Sequence, residues 1–166
     1  MVNRKNRPES PTFTVKNSGT YPATAGAVLY QDGSLFHGKF FQGIEQIIDC
    51  TETQMILSCK APVVPLSEQG QFPINSVNTF FADIQYQGMV VWVQKMRGGA
   101  KSLPLRTEKA TIYKPMPFNK SLFVHVDIIE ATDYQLVATC TTYDENGNVY
   151  LITEGAAVTI SKDLEW

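Results

Sequence analysis

The stretch Val77-Asn-Thr-Phe-Phe-Ala-Asp-Ile-Gln-Tyr-Gln-Gly-Met-Val-Val-Trp-Val-Gln-Lys-Met-Arg97 decides the fold, because it is the longest segment with helical length and helical end signals. Asn75 and Ser76 precede it and are residue types that cap helices, and Gly98-Gly99 follows it as a stop. Apolar residues surround most of the helix circumference, which predicts a buried helix. The β-branched residues are also compatible with a strand, but the length and the end signals favour a helix.

Strand-like runs flank this helix on both sides and predict an antiparallel sheet. Residues 44–50 and 54–60 are joined by three residues, which suits a hairpin. The runs after the helix are residues 108–113, 122–129, 134–143 and 150–160, with the hairpin signal Asn146-Gly147 between the last two. One long buried helix with five or more antiparallel strands predicts an α+β fold, in which a curved sheet wraps around the helix.

Length and composition indicate a single globular domain. The chain has 166 residues, of which 43% are hydrophobic and 18% are charged. Residues 1–20 are polar and interrupted by Pro8 and Pro11, so we expect a flexible N-terminal tail followed by the domain at residues 21–166. A sheet that covers one helix leaves exposed strand edges, which predicts a dimer, formed either with a second copy or with another domain of the same fold.

Charge and hydropathy exclude several classes of partner. The net charge is −2 and the pI is about 5.7, so the sequence predicts no nucleic-acid partner. The longest apolar run, Met89-Val-Val-Trp-Val93, is too short to span a membrane, and the first eight residues lack the apolar core of a signal peptide. We therefore expect a cytoplasmic protein. The two histidines, His37 and His125, have no acidic cluster beside them, and glycine-rich phosphate-binding motifs are absent, so neither a metal nor a cofactor is predicted.

Asp83 and Gln87 are the residues of the predicted helix that point to chemistry. They are four apart and therefore share one helix face. Burying an unpaired carboxylate is costly, so a buried aspartate needs a partner or a function. Burial in general raises the pKa of a carboxyl group, which lets it act as a general acid near neutral pH. Alternatively, this face meets a loop or a wet interface and has no chemical role. His37, between Phe36 and Gly38, is compatible with a packed residue or with a base.

Three segments together resemble a known family. Leu35-Phe-His-Gly-Lys-Phe-Phe-Gln-Gly-Ile44 is similar to a Tyr/His-Gly-Pro-x-Phe-x-Gly motif. Phe81-Ala-Asp-Ile-Gln-Tyr-Gln87 fits a D-x-x-x-Q/H motif, and Ser102-Leu-Pro104 with the following strand resembles a third. Over residues 28–160 their order and spacing resemble the C-terminal hot-dog half of polyketide-synthase-type dehydratase domains, closest to the iterative and polyunsaturated-fatty-acid types. The resemblance implies a single hot-dog fold.

The resemblance also implies a reaction, which is the loss of water from a β-hydroxyacyl thioester carried by acyl carrier protein in polyketide or fatty acid biosynthesis. Such a lyase needs no cofactor. A histidine of the N-terminal hot dog removes the α-proton, while Asp83 protonates the leaving hydroxyl and Gln87 supports that carboxyl group. The residues implied to lie near the substrate are His37, Gly38, Phe41 and Tyr86.

The chain departs from the family pattern because it lacks the histidine that serves as the catalytic base. The family's H-x-x-x-G-x-x-x-x-P motif is absent, since residues 1–34 contain no histidine, and Lys39 replaces the usual proline. An acid without its base cannot run the elimination alone. Three interpretations stay open: a dehydratase half-site whose base comes from a partner, a homodimeric acyl thioesterase centred on Asp83, and a non-catalytic hot dog that binds acyl chains or acts as a scaffold. The missing base favours the third interpretation over a complete enzyme, whereas the intact Asp83/Gln87 pair favours retained chemistry and, with it, a dehydratase-like domain.

Overall fold

Helix α2, Thr79–Met96, packs against one face of a curved antiparallel sheet in the computed structural model, which describes residues 7–70 and 78–164. Within these residues eight strands form one sheet in the order β1-β2-β3-β6-β7-β8-β4, and β5 also pairs with β8. The strands are β1 Thr24–Ala25, β2 Ile44–Cys50, β3 Gln54–Cys59, β4 Pro104–Arg106, β5 Lys109–Ile112, β6 Leu122–Ala131, β7 Gln135–Tyr143 and β8 Val149–Thr159. The predicted α+β class is confirmed.

The predicted strand runs are all present, and none of their ends is shifted by more than two residues. The hairpin predicted at Asn146-Gly147 joins β7 to β8, and Gly147 takes a left-handed φ of 76° there. Register shifts interrupt the β2–β3, β6–β7 and β7–β8 pairs. Such bulges bend and twist strands, which lets the sheet curve around α2. The elements that were not predicted are all short: strand β1, helix α1 at Ala27–Gln31, edge strand β4, and the 3₁₀ turns Lys39–Phe41 and Leu66–Glu68.

The ends of α2 explain why the helix occupies this stretch. Asn78 is the N-cap, and its side-chain oxygen accepts a hydrogen bond from the Phe81 N–H at 3.1 Å. The caps predicted at Asn75 and Ser76 are therefore wrong in position, and both residues lie outside the described ranges. At the other end Gly98 and Gly99 take φ values of 60° and 80°, which confirms the predicted glycine stop.

The buried side of α2 contacts β3, β6, β7 and β8. Phe81, Ile84, Met89 and Trp92 are almost fully enclosed in this layer, as the predicted all-round apolar pattern requires. A Cβ atom on Gly88 would lie 2.9 Å from the Leu57 side chain, so glycine here lets the helix approach the sheet closely. None of the described helices is long and apolar enough to cross a membrane.

The described part of the N-terminal segment, residues 7–20, lies along the sheet. Phe13 N–H donates to the Gly147 carbonyl at 2.7 Å, and its ring centroid is 5.4 Å from that of His125. The Ser18 N–H donates to the Asp49 carboxylate at 2.8 Å. Residues 10–18 therefore contact the outer face and edge of the sheet, while the division of the chain into a tail and a domain stays a prediction.

Candidate active site

A cavity of about 340 Å³ opens beside α2 and is enclosed by the loop before β2 and the segment that leads into β4. It is lined mostly by apolar groups with a few polar side chains, which is the usual character of a small-molecule site. All six residues singled out from the sequence line it: His37, Gly38, Phe41, Asp83, Tyr86 and Gln87. Sequence reasoning missed four further lining residues: Phe36, Val90, Ser102 and Pro104. The structure thus brings the whole predicted set together, although their roles stay predictions.

Local structure delivers these side chains to the cavity from three parts of the chain. Asp83 and Gln87 are one turn apart on α2, so their side chains lie next to each other. A short 3₁₀ turn at Lys39–Phe41 follows Gly38 and directs the Phe41 carbonyl towards Gln87. The Phe41 ring packs on Phe80 of α2 with centroids 4.6 Å apart, which fixes this loop to the helix.

Gln87 is the centre of a hydrogen-bond network behind the cavity. Its side-chain nitrogen donates to the Phe41 carbonyl at 2.7 Å and to Asp83 Oδ2 at 2.8 Å. Its side-chain oxygen accepts from the Tyr30 hydroxyl at 2.7 Å. Gln87 is 1% exposed, so its amide is fully paired in a buried setting. The network fixes the position of the Asp83 carboxylate.

The two oxygens of Asp83 have different surroundings. Oδ2 accepts from Gln87 and lies 3.2 Å from His37 Nε2. Oδ1 has no hydrogen-bond partner among the described residues. The side chain keeps 29% of its surface exposed, because the cavity opens next to it. One oxygen is therefore held by the protein, and the other is available to a ligand.

His37 contacts Asp83 within the same chain and lines the cavity. Nε2 is engaged by Asp83, and Nδ1 is buried without a hydrogen-bond partner among the described residues. The ring stacks on Phe36 with centroids 4.7 Å apart. His125 lies far from this site on the outer sheet face, 3.1 Å from the Gln54 side-chain oxygen, and burial lowers its pKa. Of the two histidines, His37 alone reaches Asp83.

Tyr86 and Gly38 complete the predicted set. The Tyr86 hydroxyl donates to the Arg106 carbonyl at 3.2 Å and contacts the Thr107 hydroxyl, so it connects α2 to the end of β4. A Cβ atom added to Gly38 would meet nothing within 4 Å. The fold therefore does not require glycine at Gly38, which stands in open space beside the cavity.

Two polar residues of this region escaped the sequence analysis. Tyr30 lies in α1, accepts a hydrogen bond from the Ile44 N–H at 3.0 Å, and donates to Gln87. Ser102 is fully buried at the cavity wall, and its hydroxyl has no partner within the part of the chain that the structure describes. A tyrosine within the apolar run before Gln31 needs a hydrogen-bond partner when buried, and this was the available signal for Tyr30. Ser102 gave no separate signal beyond its place in a motif.

Comparisons with known proteins indicate the same fold. No family model matches the chain. It is 24% identical over 154 residues to one of the subunits of the polyunsaturated fatty acid synthase of Thraustochytrium sp. (strain ATCC 26185 / S-3), covering 91% of this chain and 5% of that protein. Its fold matches a trans-AT polyketide-synthase dehydratase domain from Brevibacillus brevis with a TM-score of 0.71, at 18% identity, over 96% of this chain and 55% of the other. The chain therefore has the hot-dog fold that these dehydratase domains share.

A second solved structure supports the same assignment. The hot-dog domain matches the dehydratase domain of PpsC from Mycobacterium tuberculosis, which was solved in complex with C12:1-CoA. The TM-score is 0.65 and the identity is 20%, over 84% of this chain and 52% of that one. The chain therefore spans about half the length of each of these dehydratase domains. The predicted hot-dog fold and the resemblance to one half of such a domain are confirmed.

Proposed function

We propose that this hot-dog domain takes part in the removal of water from β-hydroxyacyl thioesters carried by acyl carrier protein, with Asp83 as the general acid. One observation carries the proposal: the carboxylate of Asp83 stands at an apolar cavity, with Oδ2 held and Oδ1 left without a partner among the described residues. Gln87 positions that carboxyl group, and the apolar walls formed by Phe41, Tyr86 and Val90 suit an acyl chain.

In the proposed elimination, a base takes the α-proton of the thioester and the bond between the β-carbon and its oxygen breaks. The departing hydroxyl takes a proton from Asp83 Oδ1 and leaves as water, while a carbon–carbon double bond forms. Asp83 then recovers its proton before the next turnover. No metal or redox step is needed for the balance of this reaction.

The base comes from a second hot-dog domain in this proposal. His37 does not fit the role, because Nε2 contacts Asp83 and Nδ1 is buried without a hydrogen-bond partner among the described residues. His125 lies on the outer sheet face beside Gln54. The relatives support the idea of a two-domain site, since the chain spans about half of each solved dehydratase domain. In this proposal the base comes from another chain, in the cytoplasm, whose hot-dog domain carries the histidine motif. A second copy of this chain has only the same two histidines and does not supply the base.

The first experiment incubates the purified chain with a β-hydroxyacyl thioester, alone and together with a hot-dog domain that carries the missing histidine motif, and measures loss of water by mass spectrometry. We expect turnover only in the mixture. Asp83→Asn is expected to lower it by about 10²–10⁴-fold, the usual contribution of general acid–base catalysis. Asp127→Asn, on the exposed outer face, is the matched control and should leave it unchanged.

Two outcomes would contradict the half-site. Dehydration by the chain alone would show that no second domain is needed. Equal rates for wild type and Asp83→Asn would remove Asp83 from the chemistry, and retained binding of an acyl thioester analogue would then identify a non-catalytic binding domain.

The second candidate is an acyl thioesterase. The unpaired Oδ1 of Asp83 favours it, because an ionised carboxylate at the cavity would serve as a base for water without any residue from another domain. Its product is a free acid and a thiol rather than an enoyl thioester. The same mass-spectrometric assay therefore distinguishes the two reactions, and Asp83→Asn is expected to abolish either one.

A further inference from the structure

We infer that Tyr30 is a positioning residue, which sets the orientation of the Gln87 amide and thereby leaves Oδ1 of Asp83 as the oxygen that faces a ligand. Tyr30 does not line the cavity, so it acts through Gln87 rather than on a substrate. The inference rests on the proposed function only for its kinetic consequence, because the arrangement of hydrogen bonds is a property of the protein itself.

The Ile44 N–H can only donate, and this fixes the direction of the hydrogen bonds that Tyr30 makes. The Ile44 N–H donates to the Tyr30 oxygen at 3.0 Å. A phenol has one hydrogen, and here it points to the side-chain oxygen of Gln87 at 2.7 Å. Tyr30 therefore binds the backbone at the start of β2 and presents a donor to Gln87.

The amide of Gln87 has only one satisfactory orientation as a result. With its oxygen towards Tyr30, its two N–H groups reach the Phe41 carbonyl at 2.7 Å and Asp83 Oδ2 at 2.8 Å. A flipped amide would place its oxygen against those two acceptors and would leave the Tyr30 hydrogen without an acceptor. Such unpaired contacts in a buried site are costly.

The orientation of Gln87 in turn holds the Asp83 carboxylate by one oxygen. Oδ2 receives the Gln87 N–H and contacts His37, so Oδ1 is the oxygen that remains for a ligand. Burial raises the pKa of Tyr30 well above its ordinary value, even though the Ile44 N–H works in the opposite direction. The phenol therefore remains a donor throughout the pH range in which an enzyme would operate.

The test compares Tyr30→Phe, Gln87→Ala and the double variant, with Tyr143→Phe as the matched control. Tyr143 is also buried, but it lies on the opposite side of the sheet and packs against Phe13 and Phe123. The primary readout is the side-chain NH₂ signal of Gln87 in ¹⁵N NMR, identified by its loss in Gln87→Ala. In the wild type we expect both protons to exchange slowly with solvent.

Tyr30→Phe is expected to speed that exchange at least about tenfold, in keeping with the loss of one hydrogen bond, while Tyr143→Phe leaves it unchanged. In the dehydration mixture, Tyr30→Phe should lower kcat by about tenfold with KM within about twofold. It should have no further effect when Gln87 is already alanine, because a residue that acts through another gives a non-additive double variant.

The outcomes separate this inference from the proposed function. If the wild type shows no turnover, the proposed function fails, and the NMR readout still decides the role of Tyr30. Unchanged Gln87 exchange in Tyr30→Phe, or additive kinetic losses in the double variant, would overturn the inference. If Tyr30→Phe does not fold, fast exchange of the Gln87 NH₂ in the wild type would overturn it without any substitution, and slow exchange with two separate proton shifts would support it.

Discussion

Two glutamines of α2 are two residues apart and face different surroundings. Gln87 faces the cavity and holds Asp83, whereas Gln85 faces the sheet. The nitrogen of Gln85 donates to the Thr142 hydroxyl at 2.9 Å, and its oxygen accepts from the Thr153 hydroxyl at 2.6 Å. All three groups are buried, so Gln85 joins the helix to β7 and β8 through a closed set of polar contacts.

We predict that Gln85→Met lowers the free energy of unfolding by about 2–3 kcal/mol, because two buried threonine hydroxyls lose their partner. The combined variant with Thr142→Val and Thr153→Val should recover at least half of that loss, since it leaves no unpaired polar group among these three side chains. Urea denaturation measures both. A loss below about 0.5 kcal/mol in Gln85→Met would show that these hydroxyls find other partners.

The sequence predicted the residue pair but not its surroundings. The adjacency of Asp83 and Gln87 follows from helical spacing alone, so it could be predicted from positions four apart. Tyr30 and Gln87, in contrast, are 57 residues apart in the chain, and no local pattern encodes a contact over such a separation. The extent to which Asp83 is exposed could not be predicted either, because the cavity beside it is a property of the assembled structure.

At the scale of elements, the long helix and the longer strands could be predicted from the sequence, whereas the short elements could not. Residues 44–50 became β2 with unchanged ends, because a run with three isoleucines and a short connection after it is typical of a strand in a hairpin. Helix α1 has five residues and β4 has three, which is too short for a period to show. The N-cap was misplaced because several residues that can cap a helix stand close together in this part of the sequence. The residue that does cap α2, Asn78, also makes a tertiary contact, since its side-chain nitrogen donates to the Met116 carbonyl at 3.2 Å.

We predict that Asn78→Ala lowers the free energy of unfolding by about 1–2 kcal/mol, because it removes the cap of α2 and the buried bond to Met116. Asn78→Ser keeps a cap oxygen but does not reach Met116, so its loss should be about half as large. Thermal and urea unfolding provide the measurement. Equal losses in the two variants would assign the whole effect to Met116 rather than to the cap.

At the scale of the whole molecule, the outer face of the sheet carries a second buried histidine that the site does not use. His125 lies under Phe13 of the N-terminal segment and beside the Gln54 oxygen, and burial holds its pKa below the ordinary value of 6.5. The Asp127 carboxylate attracts a proton to the ring and acts in the opposite direction, but the effect of burial is larger. The strand order and the position of this segment could not be predicted from the sequence, because both depend on pairing between distant strands.

This arrangement predicts that stability falls on mild acidification. Below pH 6.5 the unfolded chain binds a proton at His125 that the folded chain resists, so the free energy of unfolding decreases as the pH drops through this range. One proton sets a limiting slope of about 1.4 kcal/mol per pH unit. The stability contributed by a neutral His125 is complete above that pH.

The window between about pH 5 and 7 isolates this effect from the carboxylates. Burial alone would raise the pKa of Asp49 and of Asp144, but hydrogen bonds from Ser18 and Asn148 outweigh it and hold both below the ordinary 3.8, so their contribution is lost only in stronger acid. Urea unfolding followed by Trp92 fluorescence across this window should show a slope in the wild type that His125→Gln flattens. Parallel profiles for the two proteins would mean that His125 is protonated equally well in the folded and unfolded chains, and that the N-terminal segment does not shield it from water.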